Sequence, residues 1–338
     1  MINVGVLGAT GAVGQRFVEL LADHPWFKLT TLTASERSAG KPYGEVVNWR
    51  LDTPFPDKIA RLKVSPTSPK RAKDVDLVFS ALPAEIATDV ELEFADAGIG
   101  VCSNASSHRM EPDIPLVVPE VNPDHLGLID VQRDKGRDGF IVTNPNCSTI
   151  MMVMALAPLR AYKFTDVRVA TMQAISGAGF AGVAAMAIYD NVIPYIGKEE
   201  EKMETESLKI MGALKGKKVI NAPFSVSASC HRVPVIDGHT MAVWVDINQP
   251  VDELKKAYYN YKPPIKGLPT QPEKSVMYLE ENDRPQPRLD RMRGKGMTVS
   301  VGRLREGIRF ITMGHNTIRG AAGASVLNAE LISNKKYL

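Results

Sequence analysis

Apolar and polar positions follow a regular rhythm through the first part of the chain. The opening "INVGVLGATGAVGQRFVELLADHP" holds an apolar run, Ile2 to Leu7, then a Gly-rich turn, then a helical pattern with Phe17, Val18, Leu20 and Leu21 on its apolar side. A second strand-like run, "FKLTTLTA", ends near Ala34. A third runs from Val75 to Leu82 and breaks at Pro83, and a fourth, in "AGIGVCSNAS", stops after Cys102. Short apolar strands alternating with helices predict an α/β fold with a doubly wound parallel sheet, whose ligands bind beyond the strand C-terminal ends.

Past Cys147 the texture changes. "FTDVRVATMQAIS", "SVSASCHRVPVIDGHTMAVWVDI" and "GMTVSVGRLREGIRFITMG" are long, alternating and β-branched, and one strongly helical stretch, Glu199 to Leu214, interrupts them. Such strands predict an antiparallel or mixed sheet with one covered face. Pro263 to Arg293, rich in Pro, Asp and Arg, reads as an ordered surface excursion. The last stretch, "HNTIRGAAGASVLNAELI", returns to helix and is expected to pack back on the first domain. The expected boundary lies near Asn146.

Composition narrows the function classes. The chain has 338 residues, enough for two domains, and its 44% apolar and 23% charged content is that of a globular protein. Its net charge of +3 comes from 41 basic against 38 acidic residues without a long single-sign block, which points away from nucleic acid and anionic membranes. The N-terminus lacks a signal-peptide pattern, and the longest apolar run, Ile150 to Leu159, is too short to span a bilayer. A cytoplasmic location is expected. Cys102, Cys147 and Cys230 have no metal-ligand spacing, no histidine pair has it either, and an odd count in a reducing compartment argues for free thiols.

Gly8, Gly11 and Gly14 in "GATGAVG" follow a strand and open a helix. In that context the backbone approaches a pyrophosphate closely and the helix N-terminus faces it, whereas a plain tight turn is the bland alternative. Thr10, Ala12 and Val13 complete this loop. Where an NAD site would end its second strand on an acid, this chain has "ASERSAG". Ser35, Arg37 and Ser38 can surround a ribose 2′-phosphate, which favours NADP(H), while Glu36 keeps NAD open. A solvated polar loop is the competing reading.

Cys147 follows Pro145-Asn146 and begins the helical run "STIMMVMALAPL". A thiol there has its thiolate stabilised by the helix dipole and free N–H groups, so its pKa is expected to fall toward neutrality. Cys102 and Cys230 fit buried structural roles instead. The segment "CHRVPVIDGHT" sets Arg232 and His239 at opposite ends of one strand, His239 being as able to serve structure as catalysis. His231 and Arg232 should point to opposite faces, so at most one joins a site there. From charge alone "GKEEEKMETESLKIMG" is a solvated helix face.

Taken together, "GATGAVGQ", "NASSHRM", "NPNCSTI", "MQAISGAG", "IPYIGKEEEKMETES", "CHRVPVIDGH", "RPQPRLDR" and "HNTIRGAAGASVLNAE" resemble, in order and over nearly the whole chain, the aspartate-semialdehyde dehydrogenase family in its archaeal and fungal branch. The resemblance implies an acylated nucleophile at Cys147, a general acid/base at His239 and an acyl-orienting Gln173. It implies substrate contacts from Arg232, Glu199, Lys202, Arg109 and Asn104, with Glu199, Glu200 and Glu201 all open as partner of the substrate amine. Cofactor contacts beyond the first loop would come from Ser80, Ala81, Leu82, Ser176, Gly177, Asn316, Gly320 and Gly323, and the family uses NADPH. The implied fold is a Rossmann-type NADP-binding domain, 1–146 with 315–338, plus an α+β catalytic and dimerisation domain with a mixed sheet, 147–314. A homodimer follows from the same resemblance, some members pairing into tetramers. No metal is implied.

The implied reaction is reductive dephosphorylation of 4-phospho-L-aspartate through a cysteine thioester. A malonyl-CoA (acyl-CoA) reductase would keep Cys147, His239 and the cofactor loop but has no use for an acid near Lys202. A non-enzymatic NADP sensor would have no use for Cys147.

Overall fold

The computed structural model describes residues 1–72 and 74–338. Six strands form a parallel sheet: β1 (Ile2–Leu7), β2 (Phe27–Ala34), β3 (Val64–Pro66), β4 (Leu77–Ser80), β5 (Gly100–Ser103) and β6 (Phe140–Thr143), in the order β3-β2-β1-β4-β5-β6. That is the doubly wound order whose ligands lie where the strand sequence reverses, beside β1 and β4. Helix Ala12–Leu21 follows β1 directly and buries Phe17, Val18 and Leu21, with Phe17 stacked on Phe79 of β4 at 5.0 Å between ring centroids.

The third expected strand is shorter than its apolar run, Leu77–Ser80 instead of Val75 to Leu82, because Val75 is held in a turn by the Ala72 carbonyl. The fourth ends one residue later than expected, at Ser103. Strands β3 and β6 were not legible as separate elements, one being three residues long and the other set just before the Cys147 turn.

The second sheet contains β7 (Asp166–Gln173), β10 (Ser225–Arg232), β11 (His239–Val245), β12 (Val276–Leu279), β13 (Val299–Arg305) and β14 (Arg309–Gly314), after a small hairpin of β8 (Ala213–Lys215) and β9 (Lys218–Ile220). Its order is β10-β7-β11-β14-β13-β12, with β7, β11, β14 and β13 antiparallel and both edge strands parallel to their neighbours. The sheet is mixed, one of the two forms the alternation allowed. Arg232 and His239 belong to different strands, not to one: Arg232 ends β10, His239 opens β11, and β7 lies between them. Pro263 to Arg293 is more than a surface excursion, since β12 forms the sheet edge with Val276 and Leu279 buried. The helix expected to reach Leu214 stops at Ile210, and residues 213–215 enter the hairpin instead.

Helix Cys147–Leu156 is apolar nearly all round, and every residue after Cys147 in it is buried. Its side chains join the core over the second sheet. The C-terminal segment begins with a wide helical turn, Ile318–Ala322, and continues as helix Gly323–Asn334. Val326, Leu327, Ala329, Leu331 and Ile332 pack into the core of the first sheet, so the chain end returns to its beginning as expected.

Candidate active site

β6 ends at Thr143, and the chain turns through Asn144, Pro145 and Asn146 into the helix that starts with Cys147. Asn146 caps that helix: its Oδ1 accepts from the Ser148 N–H at 3.0 Å and the Thr149 N–H at 3.2 Å. With the following residues locked in the core, the thiol is fixed at the helix mouth. His239, the first residue of β11, sets its Nε2 3.3 Å from the Cys147 Sγ. Its Nδ1 accepts from the Ala174 N–H at 3.0 Å. The Ala174 carbonyl in turn accepts from Arg232 Nη1 at 2.7 Å.

The electrostatics differ from expectation at the thiol. Burial, and after it the Glu199 carboxylate, push Cys147 up to about 12 against the pull of Arg109, the Ser148 N–H and Arg232. Loss of water thus opposes the pull of the helix N-terminus at this sulfur. Burial, with Arg232 and His315 adding repulsion, pushes His239 down to about 3.

Glu199 opens helix Glu199–Ile210 and is the acid that faces the cleft. Its two carboxylate oxygens accept from Asn146 Nδ2 at 2.9 Å each, from Gln173 Nε2 at 3.4 Å and from Lys202 Nζ at 3.2 Å. Glu200 instead accepts from the Cys230 N–H at 2.9 Å, and Glu201 is exposed. Arg109 donates to Glu206 Oε1 at 2.9 Å and to the Asn104 carbonyl at 2.7 Å. The other Glu206 oxygen takes the Asn146 N–H at 2.7 Å.

Glu206 and Asn146 were missed in the sequence, although both left a trace. Asn directly before a helical run is a favoured cap, and Glu206 lies two turns after Glu199 on the same helix face. Cys102 and Cys230 are buried and do not line the cleft, and His231 turns to the Thr171 carbonyl while Arg232 enters the site.

A cleft of about 390 Å³ joins these groups to the first sheet. Cys147, Gln173, Glu199, Lys202, Arg232, Arg109 and Asn104 line it together with Ala12, Val13, Ser176, Gly177, Asn316 and Gly320. Gly323 is not among them; it is packed against Met297 and Ile318 in the interior. Ser80 is buried, its carbonyl taking the Asn104 N–H at 3.1 Å. The backbone of Ala81, close to Leu82, meets the Gly8 turn, where a Cβ on Gly8 would lie 3.0 Å from the Ala81 carbonyl oxygen.

The first loop fits a dinucleotide. Gly8 has φ +77, and a Cβ on Gly14 would fall 2.2 Å from the Gly8 carbonyl oxygen, so only glycine lets the turn close on the helix. No side chain caps helix Ala12–Leu21, and its first N–H groups are left for a phosphate. Gly8 and Ala9 bond the Thr33 carbonyl at 3.1 and 2.9 Å, which sets Ser35, Arg37 and Ser38 on an exposed turn beside this loop. Among the described residues no cluster of three or more His, Cys, Asp or Glu could hold a metal ion.

Fold and cofactor loop define a nicotinamide-dependent oxidoreductase whose cleft holds a paired cysteine and histidine. Residues 3–129 match the NAD-binding domain of semialdehyde dehydrogenases, and residues 156–319 match their dimerisation domain. The chain is 57% identical to an aspartate-semialdehyde dehydrogenase of Archaeoglobus fulgidus over 99% of both proteins, and 44% identical to that of Schizosaccharomyces pombe over 98% of both. The crystal structure of aspartate-semialdehyde dehydrogenase with NADP from Candida albicans superposes with a TM-score of 0.93 at 40% identity, covering 100% of each chain. The chain belongs to the semialdehyde dehydrogenase family, and within it to the aspartate-semialdehyde dehydrogenases.

Proposed function

We propose that the protein reduces 4-phospho-L-aspartate to L-aspartate-4-semialdehyde and phosphate with NADPH, through a thioester on Cys147, in the aspartate pathway to lysine, methionine, threonine and isoleucine. The observation that carries this reading is the Cys147 Sγ, 3.3 Å from His239 Nε2, in a cleft that also holds Arg232, Glu199 and Arg109. The substrate is an acyl phosphate bearing a carboxylate and an ammonium, and each charge has a partner. Arg232 suits the α-carboxylate and Glu199 the amine, while Lys202, Arg109 and Asn104 suit the phosphate. Gln173 faces the acyl group beside Cys147, and His239 partners the sulfur.

When bound against Gly8, Gly11 and Gly14, with Ser35, Arg37 and Ser38 at its 2′-phosphate, NADPH supplies the hydride that reduces the thioester. Cys147 divides one difficult reduction into acyl transfer and reduction of a more reactive thioester. An amine would neutralise Glu199, one of the groups that hold the Cys147 thiol high, so substrate binding itself favours the thiolate. An acyl-CoA brings no amine for Glu199 to hold, which ranks the malonyl-CoA reductase reading lower.

The two domains are proposed as 1–146 with 315–338 and 147–314. A homodimer is proposed through the outer face of the second sheet, where Trp244 is 41% exposed beside Arg168 and Ser227 in a groove; pairing of dimers is read by sedimentation. No helix among the described residues is long and apolar enough to cross a membrane, and a cytoplasmic location is proposed. The semialdehyde and NADP⁺ without phosphate should leave an aspartyl adduct on Cys147 in intact mass spectrometry, released by hydroxylamine. No adduct on the active protein would contradict the thioester.

A further inference from the structure

We propose that Lys209 positions the phosphate-holding side of the cleft: its ammonium pins the loop after β5 through three backbone carbonyls, one of them Arg109's own, and so fixes where the Arg109 guanidinium stands. The inference rests on the acyl-phosphate reading above and adds to it a residue that touches no substrate.

Glu199, Lys202, Glu206 and Lys209 recur along helix Glu199–Ile210 at the spacing that stacks side chains on one helical face, while Met203 and Ile210 are buried in the core over the second sheet. Glu199 and Lys202 line the cleft, and Glu206 and Lys209, further along, are buried. Lys209 Nζ donates to the carbonyls of Arg109, Glu111 and Ile114 at 2.7, 2.7 and 2.8 Å. An ammonium has three N–H donors and no acceptor, so its bonding capacity is used in full. From Asn104 to Ile114 the chain forms no helix or strand, and no ladder ties this loop in place. Burial pulls Lys209 down to about 8 against the attraction of Glu111, Asp113 and Glu206, so at neutral pH it remains an ammonium.

One helix therefore holds Arg109 at both ends. Lys209 takes its carbonyl and Glu206 its Nη1 at 2.9 Å, while Nη2 donates to the Asn104 carbonyl at 2.7 Å. The Arg109 Nε is buried without a partner in the protein, on a side chain that lines the cleft. An unpaired N–H on a cation suits an anionic oxygen. Glu206 sets where the guanidinium points, and Lys209 sets where the main chain behind it stands. A shift of the loop would move Arg109 relative to Cys147, whose helix is fixed by its own buried residues. Steps that use phosphate should then suffer, and thioester formation from the aldehyde should not.

Steady-state kinetics at neutral pH with NADP⁺, L-aspartate-4-semialdehyde and inorganic phosphate tests the assignment. Lys209→Met should raise the KM for phosphate about 10-fold, the lower end of what a lost charged hydrogen bond costs, and leave the KM for the semialdehyde unchanged. The burst of NADPH formed without phosphate, which reads thioester formation alone, should keep its amplitude. Lys209→Gln, neutral but still a donor on a shorter arm, should fall between Lys209→Met and the unsubstituted protein, which separates the hydrogen bonds from the charge. In an Arg109→Ala background Lys209→Met should add little, since no guanidinium is left to place. An unchanged KM for phosphate, an equal rise in both KM values, or full additivity with Arg109→Ala would overturn the proposal. So would loss of the burst in both Lys209 variants, which would assign Lys209 to the fold alone. Absence of phosphate-dependent turnover in the unsubstituted protein is a different failure: it removes the acyl-phosphate reading, and this proposal with it.

Discussion

A Cβ placed on Gly320 would fall 2.6 Å from the Cβ of Cys147, so the turn that opens the C-terminal segment rests its bare backbone on that cysteine. The first sheet's returning chain end thereby helps fix a thiol that belongs to the helix over the second sheet.

Gly320→Ala must move one of these two backbones, and a displacement of a reacting group by about 1 Å lowers turnover by about 100-fold. We expect kcat to fall while the circular dichroism of the fold is kept. A variant with unchanged kcat would show that the contact does not position Cys147.

The same turn is anchored by Arg319, whose Nη1 and Nη2 donate to the two oxygens of Glu120 at 2.7 Å each, with both side chains fully buried. Removing one partner strands a charge in the interior. Glu120→Ala or Arg319→Met alone should lower unfolding free energy by about 3–5 kcal/mol in denaturant titration, and the double variant should lose less than the two losses summed.

Legibility followed periodicity and local chemistry. Ile2 to Leu7 and the glycines after it announced the first strand, the turn and the helix, because each uses a short-range rule. Long alternating segments announced an antiparallel or mixed sheet. They could not tell that β7 separates Arg232 from His239, since pairing order is set by contacts far apart in sequence. The Cys147 turn was readable from Pro145-Asn146 and the apolar run, but the state of its thiol was not. That state depends on burial and on Glu199, which lies 3.4 Å or less from Asn146, Gln173 and Lys202 only after folding. Gly323 looked like a cofactor glycine by position and is an interior one by packing.

Acid should weaken the fold through its buried imidazoles. An unfolded histidine titrates at 6.5, whereas His315 is pushed down to about 4 by burial and His239 to about 3. Both folded values are depressed, so in this window the unfolded chain binds more protons. The contribution of these groups is complete above 6.5 and is lost as pH falls from 6.5 toward 4, and for His239 on toward 3. His315→Gln should flatten the stability–pH slope in this window by up to about 1.4 kcal/mol per pH unit. An unchanged slope would contradict a neutral buried His315.

Cofactor choice should rest on the exposed turn after β2. Loss of a charged hydrogen bond to a phosphate is worth about 1.5–3 kcal/mol, so Arg37→Ala should raise the KM for NADPH roughly 10- to 100-fold and leave the KM for NADH nearly unchanged. Equal effects on both cofactors would remove Arg37 from the 2′-phosphate.

Reduction of 4-phospho-L-aspartate through Cys147 is read in reverse by supplying NADP⁺, inorganic phosphate and L-aspartate-4-semialdehyde and following absorbance of the reduced nicotinamide, with Cys147→Ser and a malonyl-CoA plus NADPH reaction alongside. Phosphate-dependent reduction of NADP⁺ that disappears in Cys147→Ser is expected, with no oxidation of NADPH by malonyl-CoA. Turnover that needs neither phosphate nor Cys147, or turnover with malonyl-CoA alone, would contradict it.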